Sequence, residues 1–290
     1  MKISTELWGA ALDEHSVDID WRATTNYAAG AGDLNPRYLD DTHPQGMVAP
    51  PMFAVALTWP MIQGIQTSLG DRLQPEVVMT MVHSSEHLIL HQPIKPGSRV
   101  TINGEVAAVL PGRSGTRVVL RLDARDQAGA ALFTEFCGAT FRGVQCDGEA
   151  AGRDDLPPLP DPPQPGDALW EHELQISPAA SFVYDGCSDI VFPIHTSVGF
   201  AKAVGLPGII LQGTATLAMA AAVLLTREAG NEPERLAQLA CRFSDMVLPG
   251  TAIRVRLLRR QAHEHGTELS FEVLNSAGSA ALSAGYALVR

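Results

Sequence analysis

Residues 184–195 read Tyr184-Asp185-Gly186-Cys187-Ser188-Asp189-Ile190-Val191-Phe192-Pro193-Ile194-His195, and Gln212-Gly213-Thr214-Ala215-Thr216 follows after the turn Gly205-Leu206-Pro207-Gly208. Asp189 and His195 bring a carboxylate and an imidazole onto one short turn. Gly213 then opens an apolar segment that is long enough for a helix. Acid–base chemistry uses such side chains, and the amino end of a helix favours a developing negative charge. The stretch therefore indicates a reactive turn followed by a helix.

The composition permits a large core and gives no sign of a membrane segment. The chain has 290 residues, of which 46% are hydrophobic. This length allows one large domain or two smaller ones, since about 100 to 150 residues is the commonest domain size. No run approaches the roughly 18 apolar residues of a membrane span, and the N-terminus lacks a signal pattern. We therefore expect no membrane partner and a cytoplasmic protein whose four cysteines are reduced thiols.

The charge of the chain limits its partners. The net charge is −11, from 32 acidic and 21 basic residues, and the basic residues cluster only in short groups such as 256–260. Duplex binding draws its affinity from many neutralised phosphates, so nucleic acid is not an expected partner. A small phosphorylated ligand such as coenzyme A needs only a few local cations, so the charge does not exclude it.

A segment rich in Pro, Asp and Gly divides the chain. It covers residues 146–168 and cannot propagate a helix or a central strand. The composition predicts a linker between a first half, residues 1–145, and a second half, residues 169–290.

The two halves repeat one pattern. The turn 27–36, with Asp33 and Asn35, matches the turn 184–193 of the second half. Asp33 and Asp189 are 156 residues apart (189 − 33), and the glycines of two Pro-Gly pairs, at 97 and 250, are 153 apart (250 − 97). This shared register predicts two similar domains.

Each half contains one apolar segment without a polar face, which predicts a buried helix at residues 51–69 and at residues 214–227. We expect Pro60 to kink or interrupt the first helix. Runs typical of antiparallel strands, bounded by glycine turns, complete both halves. They cover residues 100–110, 117–124, 131–142, 237–247, 253–261, 267–274 and 280–289.

The turn and the glycine after it resemble the signature of the MaoC-like (R)-specific enoyl-thioester hydratases, Y-x-x-x-[ST]-G-D-x-N-P-I-H followed by G-[FL]-x-x-P-I-x-H-G. Phe192 stands where that motif has Asn, Gln212 replaces its second His, and Ser197 replaces an acidic residue. Asp189 precedes His195 by six residues (195 − 189) rather than five. The matching residues are Tyr184, Ser188, Asp189, Pro193, Ile194, His195, Pro207, Ile210 and Gly213.

The resemblance implies an α+β double hot-dog fold, in which two antiparallel sheets each wrap around a central helix. It also implies a homodimer and a site for an acyl thioester in the second half. Asp189 and His195 would be the catalytic pair, and the backbone N–H of Gly213 would polarise the thioester carbonyl. Substrate contacts would come from Tyr184, Ser188, Phe192 and Gln212, and from Trp59 and Met52 of an acyl pocket.

The first half has Tyr38 where the motif has its catalytic His, so it is expected to shape the pocket rather than to react. His83, His87 and His91 are spaced by four residues, as on one face of a helix, but their surroundings predict a strand. We therefore expect no metal site and no cofactor beyond the coenzyme A or acyl-carrier part of the substrate.

The resemblance predicts reversible hydration of a trans-2-enoyl thioester to its (R)-3-hydroxy form. The departures at Phe192 and Gln212 leave two alternatives open. One is an altered protein that binds an acyl group or serves as the scaffold half of a complex. The other is a secondary-metabolite enzyme for elimination, isomerisation or cyclisation.

Overall fold

The computed structural model describes residues 1–163 and 166–290, so Gln164 and Pro165 of the predicted linker lie outside the described residues. The strands are β1 (Lys2–Ser4), β2 (His15–Asp18), β3 (Met81–Leu90), β4 (Arg99–Gly112), β5 (Gly115–Asp126), β6 (Ala131–Arg142), β7 (Gln145–Asp147), β8 (Trp170–Gln175), β9 (Leu236–Phe243), β10 (Ala252–His263), β11 (Gly266–Leu274) and β12 (Ala280–Val289). The helices are α1 (Trp21–Ala31), α2 (Pro36–Leu39), α3 (Phe53–Gln63), α4 (Ile65–Leu69), α5 (Pro75–Val78), α6 (Ala180–Ser188), α7 (Val198–Ala203) and α8 (Gly213–Glu228). Within the described ranges, no helix has the length and apolarity needed to cross a bilayer.

Ten strands form one antiparallel sheet in the order β2-β4-β5-β6-β3-β9-β12-β11-β10-β8. The first five strands belong to the first half of the chain, and the last five repeat the same order in reverse. The halves meet where β3 pairs with β9, with Leu88 opposite Leu239. Both leucines are fully buried. The sheet is therefore continuous across the two halves.

All of the predicted strands form. Most of their ends lie within a few residues of the predicted ends. Their alternation is imperfect because both faces of several strands are partly covered. The α+β double hot-dog fold is confirmed. The division at residues 146–168 remains a prediction, and its first residues pack on the first half, where β7 pairs with β1.

The apolar helix of the first half is interrupted, but not at Pro60. Helix α3 continues through Pro60, whose side chain is exposed. It ends at Gly64, before α4 begins. Gly64 N–H still bonds to the Pro60 carbonyl at 2.9 Å. The helix is thus interrupted at Gly64, a residue of low helix propensity, rather than at Pro60.

Helices α1 and α6 cross at the centre of the molecule. A Cβ added to Gly30 of α1 would lie 2.7 Å from the Cβ of Cys187 in α6, so the glycine permits the close crossing. The hydroxyls of Tyr27 and Tyr184 bond to each other at 2.9 Å, and both side chains are fully buried. Burial raises the pKa of both phenols, that of Tyr184 to about 12. The two neutral tyrosines join the halves inside the core.

Replacing one of these tyrosines should lower the free energy of unfolding by more than half of the loss in the double variant. We expect Tyr27→Phe to lower the free energy of unfolding by about 1–3 kcal/mol, because it leaves the Tyr184 hydroxyl buried without its partner. Tyr27→Phe with Tyr184→Phe should recover part of this loss, since no unpaired hydroxyl remains. Denaturant unfolding of the two single variants and the double variant measures the coupling. Strict additivity would show that the bond contributes nothing to the joining of the halves.

Candidate active site

Helix α6 ends in a left-handed residue that sets the register of the reactive turn. This residue is Asp189, with φ of 57°. Helix α1 ends in the same conformation at Gly32, with φ of 70°. The two ends are 157 residues apart (189 − 32), as are Tyr27 and Tyr184 (184 − 27). The predicted equivalence of Asp33 and Asp189, 156 residues apart, is therefore wrong by one residue.

The corrected register puts Asp189 in the glycine position of the turn and Ile190 in the position of Asp33. Aspartate tolerates the left-handed conformation better than most residues, which explains how it replaces a glycine. The Asp189 side chain is exposed, whereas Ile190 is buried. Among the described contacts, Asp189 and His195 share no hydrogen bond. A catalytic role for Asp189 remains a prediction, with its carboxylate on the outside of the turn.

Among the described residues, only one of the two ring nitrogens of His195 makes a hydrogen bond. It ends a short 3₁₀ turn that begins at Pro193, and its Nδ1 lies 2.8 Å from the carbonyl oxygen of Ile210. A carbonyl only accepts, so Nδ1 carries the proton and Nε2 keeps its lone pair. Burial lowers the pKa of His195 to about 4, although the bond to Ile210 opposes this shift. The imidazole is therefore a neutral base at physiological pH.

The same carbonyl connects His195 to the start of α8. Ser181 Oγ also donates to the Ile210 oxygen, at 3.1 Å, and Gln212 Nε2 donates to the Ser181 carbonyl, at 3.1 Å. Gly213 is the first residue of α8, so its backbone N–H is among those that a helix leaves without an internal partner. The network places His195 and the Gly213 end of α8 on one rigid unit.

A side chain at Gly213 would meet Phe243, which sequence reasoning missed. An added Cβ would lie 2.7 Å from Cδ1 of that ring. The ring of Phe243 in turn lies against His83, with centroids 4.5 Å apart. Phe243 ends β9, and no local motif distinguishes it from the other apolar residues of that strand.

Four of the predicted substrate contacts, Tyr184, Met52, Ser188 and Gln212, lie in the protein interior. Tyr184 bonds to Tyr27, and Met52 is part of the core. Ser188 Oγ donates to the Tyr184 carbonyl at 2.6 Å and accepts from Ile190 N–H at 3.2 Å, which secures the end of α6. These side chains support the turn, and a contact with substrate remains a prediction for each.

The other predicted contacts lie nearer the surface of the turn. Phe192 is 39% exposed and packs edge-on against Phe200. The Nε1 of Trp59 is buried and has no hydrogen-bond partner. Gln63, one helical turn after Trp59 in α3, donates to the carbonyl of Val191 at 3.2 Å. This contact brings α3 of the first half to the turn of the second half. Gln63 was not among the predicted site residues.

A cavity of about 450 Å³ opens at the equivalent turn of the first half. Asp33 and Asn35, the intact acid and amide of the motif, line one side. Burial raises the pKa of Asp33. Residues of the second half, including Leu174, Met219 and Arg227, form the opposite wall. The motif acid and amide thus remain in the first half, whereas the motif histidine remains in the second.

His83, His87 and His91 do not share a helix face, as predicted, because the segment Met81–Leu90 is strand β3. His87 Nε2 lies 3.0 Å from Gln238 Oε1, and His91 Nε2 lies 3.2 Å from Thr134 Oγ1. His83 points elsewhere, at Glu86 and Cys137. The three histidines therefore do not converge. All four cysteines lie in the described part of the chain and none is bonded to another.

Comparison with known families identifies both halves. Residues 163–280 match the family described as MaoC like domain, and residues 6–135 match the one described as FAS1-like, dehydratase domain region. Residues 163–280 are therefore a MaoC-like domain, and the chain has a double hot-dog fold. The predicted resemblance is thereby confirmed.

Individual relatives are distant. The peroxisomal multifunctional enzyme type 2 of Drosophila melanogaster is 26% identical over 212 residues, which cover 71% of this chain and 34% of that protein. The 3-hydroxyacyl-thioester dehydratase Y of Mycobacterium tuberculosis is 24% identical over 186 residues, 62% of either chain. A crystal structure of a MaoC-like dehydratase from Phytophthora capsici superposes with a TM-score of 0.83 at 20% identity, covering 97% of this chain and 96% of that one. The chain thus spans about a third of the length of the Drosophila relative, and the superposition establishes the fold.

Proposed function

We propose that the protein is a hydro-lyase acting on an acyl thioester, which hydrates a trans-2-enoyl thioester or dehydrates the (R)-3-hydroxyacyl form. The observation that carries the proposal is the rigid unit of His195 and the amino end of α8. It combines a neutral imidazole whose Nε2 makes no hydrogen bond to residues 1–163 or 166–290 with the backbone N–H at Gly213, which begins α8. The names of the Drosophila and mycobacterial relatives support the same class of reaction.

The arrangement suits the charges of the reaction. In hydration, His195 Nε2 takes a proton from water as the oxygen attacks the β-carbon of the enoyl group. Negative charge then develops on the thioester oxygen, where the Gly213 N–H and the helix dipole stabilise it. Return of a proton to the α-carbon completes the addition. Because Ile190 replaces the motif acid, the imidazolium of His195 is the titratable group of the unit that can return this proton.

A direct assay tests the proposal. Purified protein is mixed with crotonyl-CoA, and loss of the conjugated double bond and formation of the (R)-3-hydroxy product are followed together. Turnover with formation of the (R) product supports the assignment, whereas no turnover on short, medium or long enoyl-CoA substrates contradicts it. Substrate chain length, the choice between coenzyme A and carrier protein, a cytoplasmic location and a dimeric state remain predictions.

The pH dependence of turnover should report the low pKa of His195. The base must be neutral, so kcat should stay level as the pH falls from about 7 to about 5 and then drop near the folded pKa of about 4. An exposed imidazole would instead lose activity around its ordinary value of about 6.5. A pH profile of kcat, with folding checked at each pH by circular dichroism, separates the two cases. An acid limb centred near the ordinary value would show that His195 is solvated during turnover.

A second candidate function is acyl binding without hydration. Ile190 and Phe192 replace both the acid and the amide of the motif, and the cavity at Asp33 offers an apolar wall from the second half. If a lost amide is what slows hydration, Phe192→Asn should raise kcat about 2- to 13-fold, the value of a hydrogen bond of about 0.5–1.5 kcal/mol. The wild type and variant are assayed side by side on a short enoyl-CoA. A decrease would indicate that the ring contacts the ligand.

A further inference from the structure

Five reactive side chains share the inner face of the sheet where the two halves meet. They lie on three neighbouring strands, in which Cys137 of β6 stands opposite Glu86 of β3 and Glu86 stands opposite Cys241 of β9. Glu135 lies two residues before Cys137 and so points to the same face. His83 lies three residues before Glu86, and a register shift between His83 and Ser85 turns its ring toward the group.

Two carboxylates in this group are buried side by side. Glu86 is 1% exposed and Glu135 is 0% exposed. The two carboxyls lie within hydrogen-bonding reach of each other, and Glu135 also lies within reach of the Thr58 hydroxyl. Within residues 1–163 and 166–290, none of the four oxygens makes a hydrogen bond of good geometry, and no lysine or arginine forms an ion pair with either group. An isolated charge in such a place costs several kcal/mol, so buried carboxylates are ordinarily paired, protonated or bound to a metal.

We propose that His83, Glu86 and Cys137 bind a divalent transition metal of the zinc class, with Glu135 beside them as the fourth ligand or as a charge that compensates the ion. The imidazole Nε2 lies 3.1 Å from Glu86 Oε2 and 3.5 Å from Cys137 Sγ. It also lies 3.1 Å from the Ser85 carbonyl oxygen, to which it donates in the metal-free chain, so a bound ion would replace that hydrogen bond. All three ligand atoms lie within 4.8 Å of one another. Bonds of about 2.0–2.3 Å in a tetrahedral zinc site separate the ligand atoms by about 3.3–3.8 Å, so small side-chain movements suffice.

The chemical nature of the ligand atoms determines which ions the group prefers. A thiolate and an imidazole favour zinc, cobalt or copper over magnesium or calcium, which take oxygen ligands. The His83 side chain keeps 26% of its surface exposed, so an ion can reach the group from that side. The sequence-based expectation of no metal considered only His83, His87 and His91, which share no helix face in a strand. The proposed ligands come instead from two paired strands, which leave no local spacing pattern.

The position of the group gives the ion a structural role. His83 stacks on Phe243, which abuts Gly213, so the bound metal would fix the wall behind the start of α8 without touching the substrate. The competing account is that Glu86 and Glu135 share one proton, as closely spaced carboxyls do. That account requires no ion and gives no role to the thiol.

Cobalt binding distinguishes the two accounts. The full chain is purified, treated with chelator and titrated with Co²⁺, which reports a bound thiolate through a charge-transfer absorption band. We expect one Co²⁺ per chain with this band, displacement by Zn²⁺, and a higher melting temperature with either ion. Cys137→Ser should abolish the band and weaken binding by at least about 10- to 100-fold. Cys187→Ser, in a thiol remote from the group, should leave both unchanged.

Two results would overturn the proposal. One is a folded wild-type chain that binds no Co²⁺ at micromolar protein concentration. The other is a Cys137→Ser variant that retains the band and the affinity. Glu86→Gln provides a further measurement, because it should weaken Co²⁺ binding if the carboxylate is a ligand. If the two acids merely share a proton, neither the wild type nor the variant should show a cobalt band, and the substitution should stabilise the fold. None of these readouts depends on turnover, so failure of the hydro-lyase assignment would not affect them.

Discussion

His195→Ala should lower turnover of an enoyl thioester by about 10²- to 10⁴-fold, the contribution of a well-placed proton-transfer group. The expected loss is large because Ile190, which stands in the position of the motif acid, carries no proton, and the Asp189 side chain is exposed. The loss should appear in kcat rather than in KM, because removal of a base affects the transition state. Steady-state kinetics on crotonyl-CoA measure both parameters.

The fold should survive this substitution. His195 lies on a surface turn, and its one hydrogen bond within the described contacts goes to a carbonyl that Ser181 also reaches. His265→Ala, at an exposed turn of the second half, is the matched control and should behave as the wild type. A folded His195→Ala variant with unchanged kcat would remove the hydro-lyase assignment.

Gly213→Ala keeps the backbone N–H but should displace it from the thioester oxygen, and we expect turnover to fall by about 10²- to 10³-fold, the usual effect of losing one oxyanion donor. The added methyl would lie 2.7 Å from the Phe243 ring, so either the ring or the start of α8 must move. We also expect a loss of about 1–3 kcal/mol in unfolding free energy from overpacking. A measurement of unfolding free energy must therefore accompany the kinetics.

Two further variants separate the causes. Gly208→Ala adds the same methyl where no atom lies within 4 Å, and it should change neither turnover nor stability. Gly213→Ala combined with Phe243→Leu makes room for the methyl and should recover most of the stability. Turnover that remains low in the double variant would place the thioester carbonyl at Gly213. Wild-type turnover in the single variant would place it elsewhere.

The sequence predicted the fold well because its strongest signals were long and repeated. Each half carries a buried helix and a set of strands bounded by glycine turns, and the strand β6 was predicted with the observed bounds. Strand β8 was missed because Trp170 to Gln175 is only six residues long and has just two apolar side chains, Trp170 and Leu174. The shift of the helix break from Pro60 to Gly64 also lay beyond local rules, since an exposed proline late in a helix is tolerated when the next turn ends it.

The site was predicted in part, and the errors have a physical origin. Asp189 looks like the motif acid because the sequence contains an acid near the expected place. Its conformation, which only the backbone reveals, belongs instead to the glycine before that acid. Tyr184 and Ser188 match the motif for structural reasons, since they hold α6 and its end. Phe243 and the group around Glu86 depend on strand pairing across the halves, which a single sequence does not reveal.

The pairing of β3 with β9 has a consequence for synthesis on the ribosome. The first half emerges complete while the edge of β3 has no partner, and Leu88 and Leu90, buried in the finished protein, lie along that edge. An exposed apolar strand edge invites pairing with other chains, and so aggregation. The first half made alone should therefore aggregate or bind a chaperone, and co-expression with the second half should rescue its solubility.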